Sequence, residues 1–203
     1  MQSALPGNPG DDIGNAAAPG GGACQSVVRG VKPALLIVAA LAMLVGGCSP
    51  ALDWRQVRPE GWGLVASLPC RPTAQSRQVA LAGPAIELSL WVCNADGHTF
   101  ALTSADVADP ARVGPALLAL GAAAQANVRG TIEADRPAAV PGMTPQPAAR
   151  QWRFRGLLPD GQPVREQVLV FAHGLRVFQA TLVGPIADDA IAKVFFDSIE
   201  LPR

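Results

Sequence analysis

The sequence predicts one α+β domain, with a mostly antiparallel sheet of about six to seven strands covered by two helices. Short stretches in which apolar and polar residues alternate are typical of strands that have one buried face. Turn dipeptides such as Asp96-Gly97 and Asp160-Gly161 separate these stretches at hairpin spacing. Two other segments carry apolar residues every three to four positions, which is typical of helices.

The first part of the domain is predicted to contain four strands. The first alternates from Trp62 to Leu68, where Pro69 ends it. The second is expected over about residues 76–81 and the fourth over about residues 98–105. The third strand follows the turn at residues 82–84, and its aliphatic residues share one face: Ile86, Leu88, Leu90 and Val92.

A helix is predicted to follow these strands. It begins at Asp109-Pro110, because Asp caps helices and Pro is tolerated at the first helical position, and it ends near Asn127. Its buried face is expected to hold five residues at helical spacing: Val113, Leu117, Leu120, Ala124 and Val128. A short extended piece around residues 131–134 and a proline-rich surface loop over residues 137–147 come next.

The last part is predicted to contain three strands and a second helix. Apolar and basic side chains alternate from Trp152 to Arg155, and two more strands are expected at residues 164–172 and 175–183. Gly184-Pro185 opens the helix. Its buried face is expected to hold four residues: Ala187, Ile191, Val194 and Phe195.

The residues before this domain predict export from the cytoplasm. Residues 1–28 are rich in Gly, Ala, Pro and Asn without an apolar period, so we expect a disordered leader. Residues 29–47 have the pattern of a helical signal peptide, with Arg29 and Lys32 before an apolar run of roughly thirteen residues that is too short to cross a bilayer. We expect a tether over residues 48–60 and a single domain over residues 61–203.

The end of this signal resembles the lipobox of bacterial lipoproteins. Val45 supplies the aliphatic residue of that motif, Gly46 and Gly47 supply the small residues, and Cys48 follows them. The resemblance implies that a peptidase cuts between Gly47 and Cys48, and that lipid on Cys48 anchors the chain in a membrane. Ser49 after the cysteine implies the outer membrane, with the domain facing the periplasm. The alternatives are an ordinary signal peptide, or a core helix with an incidental cysteine.

The length of the leader departs from this pattern. Lipoprotein signals begin near their basic residues, yet 28 residues precede Arg29. We therefore predict that translation starts later, at Val27 or Val28, through an alternative start codon. Peptides from residues 2–26 in the proteome of the cell would contradict this prediction.

The order of the predicted elements resembles that of the Mog1/PsbP-like fold. The likeness is carried by the segments GLVASLPCRP, at the entry to the sheet, and FFDSIEL, at the end of the chain, and it spans roughly residues 54–201. Members of that fold include binding, assembly and adaptor proteins, several of them bacterial lipoproteins. The resemblance implies a role of this kind, and it assigns no functional residue to this chain.

Cys70 and Cys93 are the best candidates for a disulfide. Both follow the export signal and lie at the ends of neighbouring predicted strands. A disulfide here would stabilise the fold by about 3 kcal/mol in the chain-entropy model. The alternative is two free thiols, whereas a redox-active pair is disfavoured because the spacing differs from C-x-x-C.

Five arginines on three successive predicted strands form a candidate face for an anion or a partner: Arg150, Arg153, Arg155, Arg165 and Arg176. If they gather on one side of the sheet, they suit an acidic envelope protein, lipid head groups or a polyanion. The alternative is a solvated sheet face on which Glu166 and Asp160 are interspersed with them.

Composition and motifs argue against several function classes. Sixteen basic and sixteen acidic residues give no net charge, so nucleic acid is not an expected partner. His98 and His173 have no neighbouring cluster of cysteines or carboxylates, so no metal site is predicted. No motif predicts a cofactor, and the sequence predicts no oligomeric state.

The sequence therefore favours a non-enzymatic envelope lipoprotein that binds a partner or serves an assembly. Two alternatives remain open. A large apolar pocket between sheet and helices would indicate a carrier of a small ligand. A hydrolase would need a site assembled from dispersed residues, such as His98, Asp106, Asp109 and Arg153.

Overall fold

The computed structural model describes residues 51–185 and 189–202. The predictions for the leader, the signal peptide, Cys48 and Ala187 lie outside the described residues. Within the described ranges, no helix has the length and hydrophobicity that a membrane span requires.

The described residues form nine strands and two helices. The strands are β1 Arg55–Val57, β2 Ala66–Leu68, β3 Thr73–Ala80, β4 Ala85–Ala95, β5 His98–Asp106, β6 Thr131–Pro137, β7 Arg150–Leu157, β8 Pro163–His173 and β9 Arg176–Gly184. The helices are α1 Pro110–Asn127, between β5 and β6, and α2 Asp189–Asp197, after β9.

Seven of these strands form one antiparallel sheet, in the order β3-β4-β5-β9-β8-β7-β6. Two meanders, β3 to β5 and β6 to β9, meet where β5 pairs with β9. Helix α1 carries the chain from the middle of the sheet to its far edge, where β6 begins. The predicted α+β class and the strand number of the main sheet are confirmed.

The two helices cover opposite faces of the sheet, because neighbouring residues of a strand point to opposite sides. Ala101 of β5 faces the space beneath α1. Phe100, beside it, packs edge-on against Phe195 of α2, with ring centroids 5.4 Å apart. The predicted apolar face of α1 is confirmed, since its five residues are all buried: Val113, Leu117, Leu120, Ala124 and Val128.

Part of the segment expected to be a tether belongs to the fold. Residues Arg55–Val57 form β1, which pairs with β2 in a separate two-stranded sheet. The amide of Asp53 donates to the carbonyl of Pro69 at 2.8 Å, and Leu52 packs against the core. A three-residue strand is too short for an alternating pattern to be read from the sequence.

The strand predicted from Trp62 to Leu68 is limited to Ala66–Leu68. Gly61 and Gly63 have φ angles of +73° and +62°, in the left-handed region that favours glycine, so the chain turns there. Trp62 packs instead against Trp91 of β4, with ring centroids 6.2 Å apart.

The predicted buried face of α2 was wrong at Val194, which is 47% exposed. The buried residues of α2 form two pairs four residues apart: Ile191 with Phe195, and Ala192 with Phe196. Such pairs make one continuous stripe on a helix, and Val194 falls on the other side of it.

Candidate functional site

A cavity of about 540 Å³ lies between α1 and the sheet. This volume falls within the roughly 300–1,000 Å³ that small-molecule sites occupy. Strands β3, β4, β5, β8 and β9 form its floor, and α1 forms one wall. We refer to this space as the cleft.

The cleft exists because α1 packs closely on one half of the sheet and not on the other. At Gly121 of α1, an added Cβ would lie 2.4 Å from the ring of Trp152 on β7, so the helix backbone nearly touches the sheet there. Over β4 and β5 the floor is apolar, with Leu88, Leu90 and Ala101 facing the space beneath the helix. Ala123 of α1 is exposed at the rim, so the cleft is open to solvent.

Seven side chains that can form hydrogen bonds interrupt this apolar lining: Arg77, Thr99, Thr103, Asn127, Glu166, Gln179 and Thr181. The side-chain amide of Gln179 donates to the hydroxyl of Thr181 at 2.8 Å, so part of this polar strip is internally paired. An apolar cleft with a few convergent polar groups is typical of a ligand site.

Glu166 is the ionisable group of the buried part of the cleft. It lies on β8, in register with Phe154 of β7 and Val183 of β9, and it is 3% exposed. Within the described residues, its Oε2 atom has no hydrogen-bond partner. Burial raises the pKa of the Glu166 carboxyl to about 8, because removal from water disfavours the charged form. At neutral pH the carboxyl is therefore mostly protonated, and it can donate a hydrogen bond.

The expectation that Glu166 belongs to a solvated arginine face was wrong. Its strand alternates, and Val164, Val168 and Val170 share its face, which α1 and the β7 aromatics cover. That alternation is readable in the sequence and would have placed Glu166 on the apolar face. Asp160 does lie outside the core, in the turn after β7, where its carboxylate accepts from the amide of Gln162 at 3.1 Å.

Four of the five candidate arginines share one face of the sheet, but they do not form one cluster. Arg153, Arg155, Arg165 and Arg176 lie on the face that α2 covers, whereas Arg150 lies on the α1 face. Arg176 lies at the opposite end of the β8–β9 pair from Arg165.

Each of these arginines also has a carboxylate partner, and Arg155 and Arg165 share one, so four carboxylates face the five guanidinium groups. The nitrogen–oxygen distances are 2.6 Å for Arg150–Asp135, 2.8 Å for Arg153–Asp189, 2.6 Å for Arg155–Glu133, 3.4 Å for Arg165–Glu133 and 3.9 Å for Arg176–Asp106. A cluster of free guanidinium groups, as an anion site needs, is not formed by these five side chains.

The residues of the hydrolase alternative are not brought together. His98 and Asp106 stand at opposite ends of β5. Asp109 caps α1 by accepting from the amide of Ala111 at 2.9 Å, and Arg153 is engaged with Asp189. In the part of the chain that the structure describes, no group of three His, Cys, Asp or Glu side chains is placed to hold a metal ion.

Cys70 and Cys93 lie at disulfide distance, as predicted, with their Cα atoms 5.9 Å apart. The pair ties the segment before β3 to the far end of β4. It therefore links the segment between β2 and β3 to the end of β4 at which the pairing with β3 begins.

No protein-family model matches the chain, and no curated protein matches its sequence. A solved structure of PA94, a protein of unknown function from Pseudomonas aeruginosa, is similar, with 13% sequence identity and a TM-score of 0.38. The similarity covers 69% of this chain and 88% of that chain. A likeness of this size assigns no function.

Proposed function

We propose that the protein is a lipid-anchored binding protein of the cell envelope that holds a small ligand in the cleft between α1 and the sheet. The Oε2 atom of Glu166, which has no hydrogen-bond partner among the described residues and lies in the floor of the cleft, carries this proposal. Buried polar atoms in proteins are nearly always hydrogen-bonded, and an unmade bond destabilises the fold. A ligand with a complementary polar group offsets that penalty while its apolar part fills the cleft.

Between a partner-binding protein and a ligand carrier, the cleft favours the carrier. Its size and apolar floor meet the condition that the sequence left open for that function. The pairing of each candidate arginine with a carboxylate removes the main support for a surface that binds an acidic partner.

The anchor is supported by the lipobox-like residues and by two features of the domain. The fold begins close to Cys48, since Leu52 already packs against the core, so lipid on Cys48 would hold the domain at the membrane surface. A cysteine pair at disulfide distance suits an exported protein, because disulfides persist in oxidising compartments.

A substitution that fills the cleft tests the proposal. Ala123→Trp adds a large side chain at an exposed position of α1 that lines the cleft. Ala122→Trp is the matched control, since Ala122 is also exposed on α1 and does not line it. Both are made in the full chain carrying Cys48→Ser, so that no acyl chain of the protein itself can enter the cleft.

The measurement is a titration with the neutral apolar dye Nile red, read by its fluorescence. We expect saturable binding that Ala123→Trp weakens at least tenfold and that Ala122→Trp leaves within twofold. Equal binding by the two variants, or no binding by the parent chain, would overturn the proposed ligand site.

A further inference from the structure

We infer that the cleft selects a cationic amphiphile, a primary amine on a linear aliphatic chain, whose ammonium group pairs with Glu166 while the chain lies along α1. This inference rests on the proposed function and names its class of ligand. It is carried by the position of Glu166, by the distribution of charge along the cleft and by the apolar residues of its floor.

The charges of the cleft lie at its two ends. Glu166 and Arg77 are the ionisable residues that line it, and Arg77 is exposed on the edge strand β3. In the strand register, Arg77 of β3 lies opposite Leu88 of β4, and Leu88 lies opposite Ala105 of β5. In the same way, Glu166 of β8 lies opposite Val183 of β9, and Val183 lies opposite Thr99 of β5. Thr99 and Ala105 are six residues apart on one strand, and β3 and β8 are four strand spacings apart in the sheet, so these ends are about 28 Å apart.

The space between the two ends suits an extended apolar chain. Leu90 and Ala101 form the floor there, and Leu120 of α1 lies above it. A linear aliphatic chain can follow the apolar floor away from Glu166, whereas a compact ligand would leave part of that floor in contact with water.

Among residues 51–185 and 189–202, the immediate surroundings of Glu166 supply no positive charge. The side chains around it on β7, β9, the end of α1 and the β7–β8 loop are apolar: Phe154, Val183, Val128 and Leu158. Arg129 lies beside that loop, where its guanidinium donates to the carbonyl of Leu158 at 3.2 Å, and its side chain is exposed. The described residues therefore supply no cation that pairs with Glu166, and a ligand can supply one.

Among the head groups of amphiphiles, an ammonium group forms the strongest hydrogen bond with this carboxyl. A charge-assisted hydrogen bond is roughly twice as strong as a neutral one, so an amine is favoured over an alcohol. A fatty acid would bring a second acidic group to the same site, and the two carboxyl groups could share one proton but could not form a pair of opposite charges. The balance of the binding step is simple: the protonated carboxyl of Glu166 releases its proton to solvent as the ammonium ion binds the resulting carboxylate.

Isothermal titration calorimetry tests this inference with decylamine, decanol and decanoic acid, each below its micellar concentration, at pH 6.5. The full chain carrying Cys48→Ser is used, in two buffers of different ionisation enthalpy. We expect decylamine to bind at least tenfold more tightly than either competitor and to release about one proton per molecule bound. Glu166→Gln should abolish both the preference and the proton release, whereas Glu87→Gln, at an exposed position of β4, should retain both.

Binding of decanol or decanoic acid as tightly as decylamine would overturn the ligand class, and so would amine binding without proton release. Either result is compatible with the proposed function if Nile red still binds and if Ala123→Trp still weakens the binding of Nile red. Proton release is measured on the chain with Glu166 in place, so the test does not depend on whether Glu166→Gln folds.

Discussion

The indole ring of Trp152 on β7 occupies the space that a side chain at Gly121 of α1 would need. An added Cβ at Gly121 would lie 2.4 Å from Cζ3 of that ring. The absence of a side chain therefore lets the helix approach the sheet over β7, β8 and β9. The same placement leaves open space over β4 and β5, and these strands form the apolar part of the cleft floor.

Gly121→Ala should lower the free energy of unfolding by about 1–3 kcal/mol, because the Trp152 ring or the helix must move. Gly114→Ala, in the same helix, should raise it by about 0.5–1 kcal/mol, since alanine favours helices. An added Cβ at Gly114 would meet only an ordinary contact, 3.7 Å from the side chain of Gln146. Urea denaturation measures both changes, and shifts in the same direction would contradict this account of the packing.

A disulfide between Cys70 and Cys93 should contribute about 3 kcal/mol to stability. Reductant should therefore lower the free energy of unfolding of the parent chain by about that amount. The double variant Cys70→Ala/Cys93→Ala should be similarly destabilised, and its stability should not respond to reductant. If oxidised and reduced parent chains unfold at the same urea concentration, the bond is absent or contributes nothing.

Glu166 should make stability depend on pH. Its pKa is about 8 in the folded chain, against an ordinary value of 4.5, so the folded chain holds an extra proton between these two values. The contribution of the Glu166 carboxyl is thus fully present below pH 4.5 and is lost as pH rises toward about 8. The slope reaches at most about 1.4 kcal/mol per pH unit.

Urea unfolding at several values between pH 5.5 and 7.5 measures this dependence. Relative to Glu166→Gln, the parent chain should lose stability as pH rises, whereas Glu87→Gln should follow the parent chain. Parallel curves for the parent chain and Glu166→Gln would show that the carboxyl titrates normally.

Glu133 should hold together two arginines that face each other across β7 and β8. Arg155 and Arg165 are directly paired in register, and both reach the carboxylate of Glu133, at 2.6 and 3.4 Å. Glu133→Gln should lower the free energy of unfolding by about 1 kcal/mol, because like charges directly opposite each other on a sheet repel. Glu87→Gln, at an exposed site, should change it by less than about 0.5 kcal/mol. If thermal unfolding shows equal effects for Glu133→Gln and Glu87→Gln, solvent fully screens the ion pairs of Glu133 with the two arginines.

Local signals in the sequence were sufficient for much of the fold. Asp96-Gly97 predicted a tight hairpin, and both residues have positive φ angles, of +49° and +71°, as such a turn requires. The apolar spacing in α1 likewise predicted its buried face, because that face depends only on helical geometry.

The features that the sequence did not predict depend on distant contacts. Strand β1 exists through its pairing with β2 rather than through its own three residues. The environment of Glu166 depends on where α1 lies, and that position depends on the meeting of Gly121 and Trp152, far apart in the chain. Alternation along β8 showed which face Glu166 shares with valines, yet only the packed structure places a cleft there.

Native mass spectrometry of the protein released from its own membranes tests the central claim most directly, since one spectrum reports both anchor and ligand. We predict a mature chain that begins at Cys48, carries acyl mass and holds a small molecule that dissociates on collision. Ala123→Trp should keep the acyl mass and lose the small molecule, whereas Ala122→Trp should keep both. A chain without lipid, or one whose bound mass is the same in the two tryptophan variants, would contradict the proposal of a lipid-anchored protein with a ligand in this cleft.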